Sequence, residues 1–324
     1  MRAAVCREYG PPEVVRIEDI ERPALRPGHV RIAVEVAAGN YPDVLLVAGE
    51  YQIKVPPPFT CGSEAAGRVI EVGDGVRGVT VGDRVRTTAL VGAFAEEMVV
   101  AAAACTPVPD GVATDLAAAA GVAQRTAYHA LCAVARLQSG EEVLVLGAGG
   151  GVGLAAVQIA TVLGARVTAV TSSAANQAAV TAAGAAAVID RGAGDLRTAL
   201  RSVLPDGADV VIDPVGGDLA EPALRALRPG GRFVTVGYAA GAIPRIPLNL
   251  VLLKGVAILG FEFLGFAMRE PETLAAGDAA LDRLVAEGAV VPVIGARFPL
   301  TEVARALRTL ADGSVPGKVV VDIV

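Results

Sequence analysis

Four cysteines in 324 residues, at positions 6, 61, 105 and 132, share no C-x-x-C spacing. A zinc knuckle, a thioredoxin-type redox motif or a disulfide scaffold needs closer groupings, so the four thiols read as small apolar side chains in a reducing compartment. Histidine is scarcer still. His29 follows Pro27-Gly28 in a turn and His129 lies in a helical stretch, so no protein-built metal centre is expected. No uncharged apolar run approaches the ~20 residues of a membrane span. The strongest stretch, 246–260, is interrupted by Pro247, Asn249 and Lys254. Met1 to Glu8 lack the apolar core of a signal peptide, and a cytoplasmic location is the expectation. Only 19% of residues are charged, the net charge is −6 and the basic residues are dispersed, so neither nucleic acid nor an anionic membrane is an expected partner. No internal repeat is visible.

What is abundant is apolar: 53% of the chain, which reads as globular with room for two cores. Residues 1–118 are β-rich. The run from His29 to Val36 (HVRIAVEV) alternates apolar and polar side chains, and turns such as Val72-Gly73-Asp74-Gly75-Val76 separate the runs. Pro107-Val108-Pro109-Asp110-Gly111 marks a hinge. From 119 to 260 the rhythm becomes strand, turn, helix, with strands expected at 143–147, 167–171, 187–190, 210–213, 233–237 and 256–260. Helical stretches at 154–163, 176–183, 196–204 and 219–227 fill most of the gaps, and the alternation predicts an α/β domain with a doubly wound parallel sheet. Residues 261–324 are expected to return and complete the first domain.

The densest motif is Leu146-Gly147-Ala148-Gly149-Gly150-Gly151-Val152-Gly153, placed between an apolar strand and an Ala-rich helix. A dinucleotide pyrophosphate needs that order: glycines admit the phosphates close to the backbone, and the helix N-terminus offers N–H groups and a favourable dipole. The register that puts the last two glycines at Gly150 and Gly153 leaves Ala148 in the first slot of G-x-G-x-x-G. A second strand then ends in Thr171-Ser172-Ser173, with no carboxylate until Asp190. An acid at that point binds the ribose 2′-OH and repels a 2′-phosphate, so hydroxyls without an acid are compatible with NADP. Ser172 and Ser173 also suit the cap of the following helix, and both roles stay open.

Several segments, in order along the chain, carry a resemblance: Asn40-Tyr41-Pro42-Asp43; Gly49-Glu50-Tyr51-Gln52; Pro56-Pro57-Pro58-Phe59-Thr60-Cys61-Gly62-Ser63-Glu64-Ala65-Ala66-Gly67; Thr126-Ala127-Tyr128-His129-Ala130-Leu131; Asp213-Pro214-Val215-Gly216-Gly217; and Gly237-Tyr238-Ala239-Ala240-Gly241 with Ile246-Pro247-Leu248-Asn249. The chain resembles the zinc-independent quinone oxidoreductase branch of the medium-chain dehydrogenase/reductase superfamily. The resemblance implies a GroES-like catalytic domain, a Rossmann domain, a homodimer, and NADPH-driven reduction of quinones or other α,β-unsaturated carbonyls. Zinc-dependent relatives carry a Cys near position 40 and a Gly-His-Glu further on; here Asn40-Tyr41 and Gly62-Ser63-Glu64 stand at those places. Without a Lewis acid, conjugate hydride transfer is the chemistry that remains, since a delocalised enolate or hydroquinone anion spreads its own charge.

By the same resemblance Asn40 and Tyr51 face the acceptor, where an amide and a phenol can hydrogen-bond a carbonyl oxygen, and Thr126 lies near the nicotinamide. As sequence alone, Asn40 also reads as a turn residue, Tyr51 as a loop anchor and Thr126 as a helix start. Gly149, Gly150, Gly151, Val152, Gly153, Asn176, Val215, Gly237, Tyr238, Phe263 and Lys318 are expected on the cofactor. Asp43 and Glu64 are read as fixing loop geometry. Related sequences place a lysine at the position of Asn176 and a tyrosine at that of Arg191. Arg191 with Ser172 and Ser173 is the candidate replacement for 2′-phosphate recognition, a solvated surface arginine being the alternative. Two other functions fit the same residues: an enoyl-thioester reductase, for which no arginine cluster suited to CoA phosphates is evident, and a non-catalytic NADPH-binding redox sensor.

Overall fold

The strand His29–Gly39 is the spine of the first of two units. In the computed structural model, which describes residues 1–323, this unit comprises Met1–Val122 and the segment from Ile294 onward. Alternation along the spine sends Val30, Ile32 and Val34 into a core shared with Phe94, Met98 and Leu307. Glu64–Val72 pairs antiparallel along one edge. Along the other, Glu97–Ala101 pairs with the first half of the spine and Lys318–Asp322 with its end. The register Val319↔Gly39 sets Lys318 level with Asn40.

Just past the spine, the helix Tyr41–Ala48 starts because Pro42 occupies its first turn and the Asp43 Oδ2 accepts the Asn40 N–H at 2.7 Å. It stops at Gly49, whose φ of 69° a side chain would resist. Arg2–Cys6, Arg16–Asp19 and Phe59–Thr60 form a small separate sheet in this unit.

The second unit, Ala123–Val293, holds six parallel strands. We label its elements β1 (Glu142–Val145), α1 (Gly151–Val162), β2 (Arg166–Thr171), α2 (Ala174–Ala182), β3 (Ala187–Asp190), α3 (Leu196–Val203), β4 (Ala208–Asp213), α4 (Ala220–Arg225), β5 (Leu227–Thr235), α5 (Asn249–Lys254) and β6 (Ala257–Gly260). The strands lie in the order β3-β2-β1-β4-β5-β6, the doubly wound arrangement, with all six at the positions the alternation implied. β5 starts earlier than 233, because residues from Leu227 already pair with β4. α1 is apolar on most sides and is correspondingly buried at Leu154, Ala155, Ala156, Val157 and Ile159.

The chain re-enters the first unit at Ile294, not at 261. Phe261, Phe266, Leu281 and Val290 are buried with β1 and α1 in the second unit's core, and the helices Phe263–Arg269 and Pro271–Ala286 stay with them. Among the described residues, no helix is long and apolar enough to cross a membrane.

Candidate functional site

Between β1 and α1 the backbone turns at Gly147, whose φ is 55° and whose missing Cβ leaves room for Val215; a Cβ there would stand 2.3 Å from Val215 Cγ2. Ala148 donates its N–H to the Val170 carbonyl at 3.0 Å, tying the turn to β2. Gly150 is the extended N-cap of α1 and no side chain caps it, which leaves the first-turn N–H groups of Gly151, Val152 and Gly153 directed out of the helix end. Gly153 is required for packing: a Cβ there would lie 2.3 Å from the Gly147 oxygen. Gly149 is required for a different reason, since its Cβ would lie 2.4 Å from Asn176 Cγ. The result is an uncapped helix end behind a tight glycine turn, the geometry that binds a phosphate.

Past the neighbouring strand, Ser173 caps α2 by accepting the Asn176 N–H at 3.2 Å, so its helix-cap role is realised, while Ser172 is exposed. The pairing Thr171↔Asp190 brings Ser172 and Arg191 off adjacent strand ends side by side. Arg191 is exposed and forms no ion pair among the described residues. Asp190 is engaged: Gln177 Nε2 and the Gly192 N–H donate to its two oxygens at 3.0 and 2.8 Å. After β4, Asp213 accepts the N–H groups of Val215 and Gly216, bonds that work against the upward push of burial on its pKa. Tyr238, adjacent to Gly237, lies over Gly216, whose Cβ would stand 2.8 Å from the ring.

Phe263 is half-buried under Arg125, with the guanidinium carbon 4.8 Å from its ring centre. Arg125 donates to Asp278 at 2.9 Å, and His129 Nε2 stands 3.0 Å from the same carboxylate oxygen. Burial opposes the Asp278 charge, but hydrogen bonds from His129 and Arg125 outweigh it and hold the pKa below the usual range. The helix Ala123–His129, which carries half-buried Thr126, is therefore anchored to Pro271–Ala286 by a polar cluster that sequence reasoning missed. The available signal was Arg125 and His129 four apart on one helix face.

In the β-rich unit Asn40 is 6% exposed and wholly engaged. Its Nδ2 donates to Ser63 Oγ at 3.2 Å and to Glu64 Oε1 at 2.9 Å, and its Oδ1 accepts from Lys318. The Lys318 ammonium also donates to Glu64 Oε1 at 2.6 Å and to the Gly39 carbonyl at 2.9 Å, which uses all three of its protons. Glu64 Oε2 accepts the Val122 N–H at 2.6 Å. Ser63 Oγ donates to Asp43 Oδ2, while Asp43 Oδ1 is buried without a partner, and burial pushes that carboxyl up to about 7.

Two expectations change here. Asn40 has no amide hydrogen left for a substrate carbonyl, and Lys318, 2% exposed, has no proton left for a phosphate. Both positions are central, but as parts of one buried knot. Tyr51 is half-buried against the same unit's core.

Comparison with known proteins follows the same division. Residues 26–110 match the family described as alcohol dehydrogenase GroES-like domain, and residues 151–278 match zinc-binding dehydrogenase. That pairing of a GroES-like unit with a doubly wound sheet defines a medium-chain dehydrogenase/reductase. Quinone oxidoreductase-like protein 2 of Bos taurus is 35% identical over 99% of this chain and 92% of its own length. A mycobacterial protein solved in complex with NADPH is 31% identical with a TM-score of 0.92, and Escherichia coli quinone oxidoreductase, also solved with NADPH, is 26% identical with a TM-score of 0.92; each comparison spans 100% of both chains. The chain belongs to the quinone oxidoreductase family of the medium-chain dehydrogenase/reductases.

Proposed function

We propose that this protein reduces quinones or other α,β-unsaturated carbonyls with NADPH and without zinc. The observation that carries the reading is the uncapped N-terminus of α1 behind the glycine turn, with exposed Ser172 and unpaired Arg191 at the adjoining strand ends. Gly149 to Gly153 hold the pyrophosphate, and Arg191 with Ser172 holds the 2′-phosphate through charge-assisted hydrogen bonds. Val215, Gly237, Tyr238, Phe263 and Thr126 flank the rest of the dinucleotide. A bound NADPH supplies a hydride, which with one proton from solvent or Tyr51 converts a quinone into a hydroquinone.

On the acceptor side, Tyr51 donates the hydrogen bond to the carbonyl, and Asn40, locked by Lys318 and Glu64, keeps the surrounding backbone in place. Independence from zinc is supported by the donor set at Asn40, Ser63 and Glu64, where an amide, a hydroxyl and a lysine-bound carboxylate stand in place of thiolate and imidazole. A homodimer is part of the proposal: β6 is the outer strand of its sheet, and Ile258 with Leu252 and Leu253 of α5 expose apolar surface there.

The test is an acceptor panel of simple quinones, enones and enoyl thioesters, run with NADPH and NADH on the metal-free protein. NADPH oxidation with a quinone is the expected result. Turnover confined to enoyl thioesters would replace the acceptor class, and tight NADPH binding with no turnover on any acceptor would favour the sensor. Light scattering after size exclusion checks the dimer.

A further inference from the structure

Asn176 occupies the first turn of α2, directly after the end of β2. A doubly wound fold reads the ribose 2′-OH at the end of β2, ordinarily with a carboxylate that also repels a 2′-phosphate; here Thr171 and Ser172 stand at that point and Asn176 follows within the first turn of α2. Where relatives carry a lysine, Asn176 offers an uncharged amide with one acceptor oxygen. The side chain is 8% exposed and lies over the glycine turn, in the space that Gly149 leaves by having no Cβ. Its Oδ1 is buried and accepts no hydrogen bond, although the backbone N–H of the same residue is satisfied by Ser173 Oγ. Buried carbonyl oxygens without a donor are uncommon, because the lost hydration is not replaced. A ribose hydroxyl is a donor of the right kind, whereas a 2′-phosphate dianion has only acceptors to present to this oxygen. Asp190, the carboxylate at the end of the neighbouring strand, has both oxygens engaged within the chain and does not fill the role.

We infer that Asn176 is a specificity-determining residue that accepts a hydrogen bond from the adenosine ribose 2′-OH, so that the protein binds NADH as well as NADPH. This rests on the proposed dinucleotide site. Asn176 favours the unphosphorylated ribose and Arg191 the phosphorylated one, and the absence of negative charge at 176 lets both enter.

Isothermal titration of the full chain with ADP-ribose and with 2′-phospho-ADP-ribose tests this without any turnover. The wild type is expected to bind the two within about 10-fold of one another. Asn176→Ala is expected to weaken ADP-ribose by about 5- to 10-fold, one hydrogen bond's worth, and the phosphorylated fragment less than about 2-fold. Asn176→Asp, which keeps the acceptor and adds charge, should retain ADP-ribose and lose the phosphorylated fragment by about 10-fold or more. Thermal melts of both variants establish that they fold, and either variant alone decides the question. Equal weakening of both fragments by Asn176→Ala, no weakening of either, or a wild type that binds ADP-ribose more than about 100-fold less tightly than its phosphorylated form would overturn the inference while leaving the NADPH site intact. A wild type that binds neither fragment would overturn that site as well.

Discussion

Lys318 meets Glu64 across 254 residues of chain, Nζ to Oε1 at 2.6 Å, with both side chains out of water. Removing one partner of such a pair strands the other charge in the interior, which is costlier than never having had the pair. Lys318→Met is therefore expected to destabilise the protein by about 3–5 kcal/mol. Lys318→Met combined with Glu64→Gln should recover more than half of that loss, since the amide still accepts from Val122 and carries no charge. Urea unfolding of the four proteins in this cycle measures both numbers.

Asp43 lies in the same knot but has the opposite problem. Its folded pKa, about 7, stands above an ordinary 3.8, so the folded chain holds the proton more tightly than the unfolded chain does. Between those two values the folded state binds more protons, so stability contributed by this group falls as pH rises and levels off above about 7. Asp43→Asn removes that dependence. The variant's stability relative to wild type should climb between pH 4 and pH 7 by as much as about 4 kcal/mol and stay flat above it. Melting curves across that range read the difference, and a difference that stays constant with pH would show that Asp43 is ionised throughout.

In the proposed site, Arg191 is the cation that selects NADPH. Arg191→Glu is expected to raise the KM for NADPH by about 10-fold or more, the scale of losing hydrogen bonds to a charged group, and to leave the KM for NADH within about 2-fold. Parallel saturation curves with a quinone acceptor check it. An equal rise for both cofactors would assign Arg191 to the structure of the loop.

The six strands of the second unit were legible because short unbroken apolar runs, the mark of strands buried on both faces, alternate with helical stretches. The glycine turn was legible for the same reason: strand, turn and helix are consecutive. What was not legible depends on distance in sequence. The helix Pro271–Ala286 shows an apolar face, but nothing in that face says it packs on Ala123–His129 and not in the first unit; Asp278 reaching Arg125 and His129 decides it. Lys318 and Asn40 both stood out by resemblance, as cofactor and acceptor contacts respectively. Their true relation, a hydrogen bond across 278 residues, exists only once the strand Lys318–Asp322 is in register with Gly39. Asn176 stood out by lacking a charge, and only the fold reveals that it packs on Gly149 with its oxygen buried and unpartnered.

The discontinuity of the first unit bears on the order in which the protein is made. Residues 1–122 leave the ribosome before any of the second unit, yet the strand that flanks Gly39 and the counter-ion of Glu64 are both translated after Val293. The second unit is continuous and can close as soon as it has emerged, since domains generally fold as units during synthesis. The β-rich unit must wait, its Glu64 solvated and its longest strand unpaired on one flank from Val36 to Gly39, until Lys318 arrives. A truncated chain ending at Val293, released from the ribosome, should accordingly protect the second unit from protease and leave 1–122 open to cleavage.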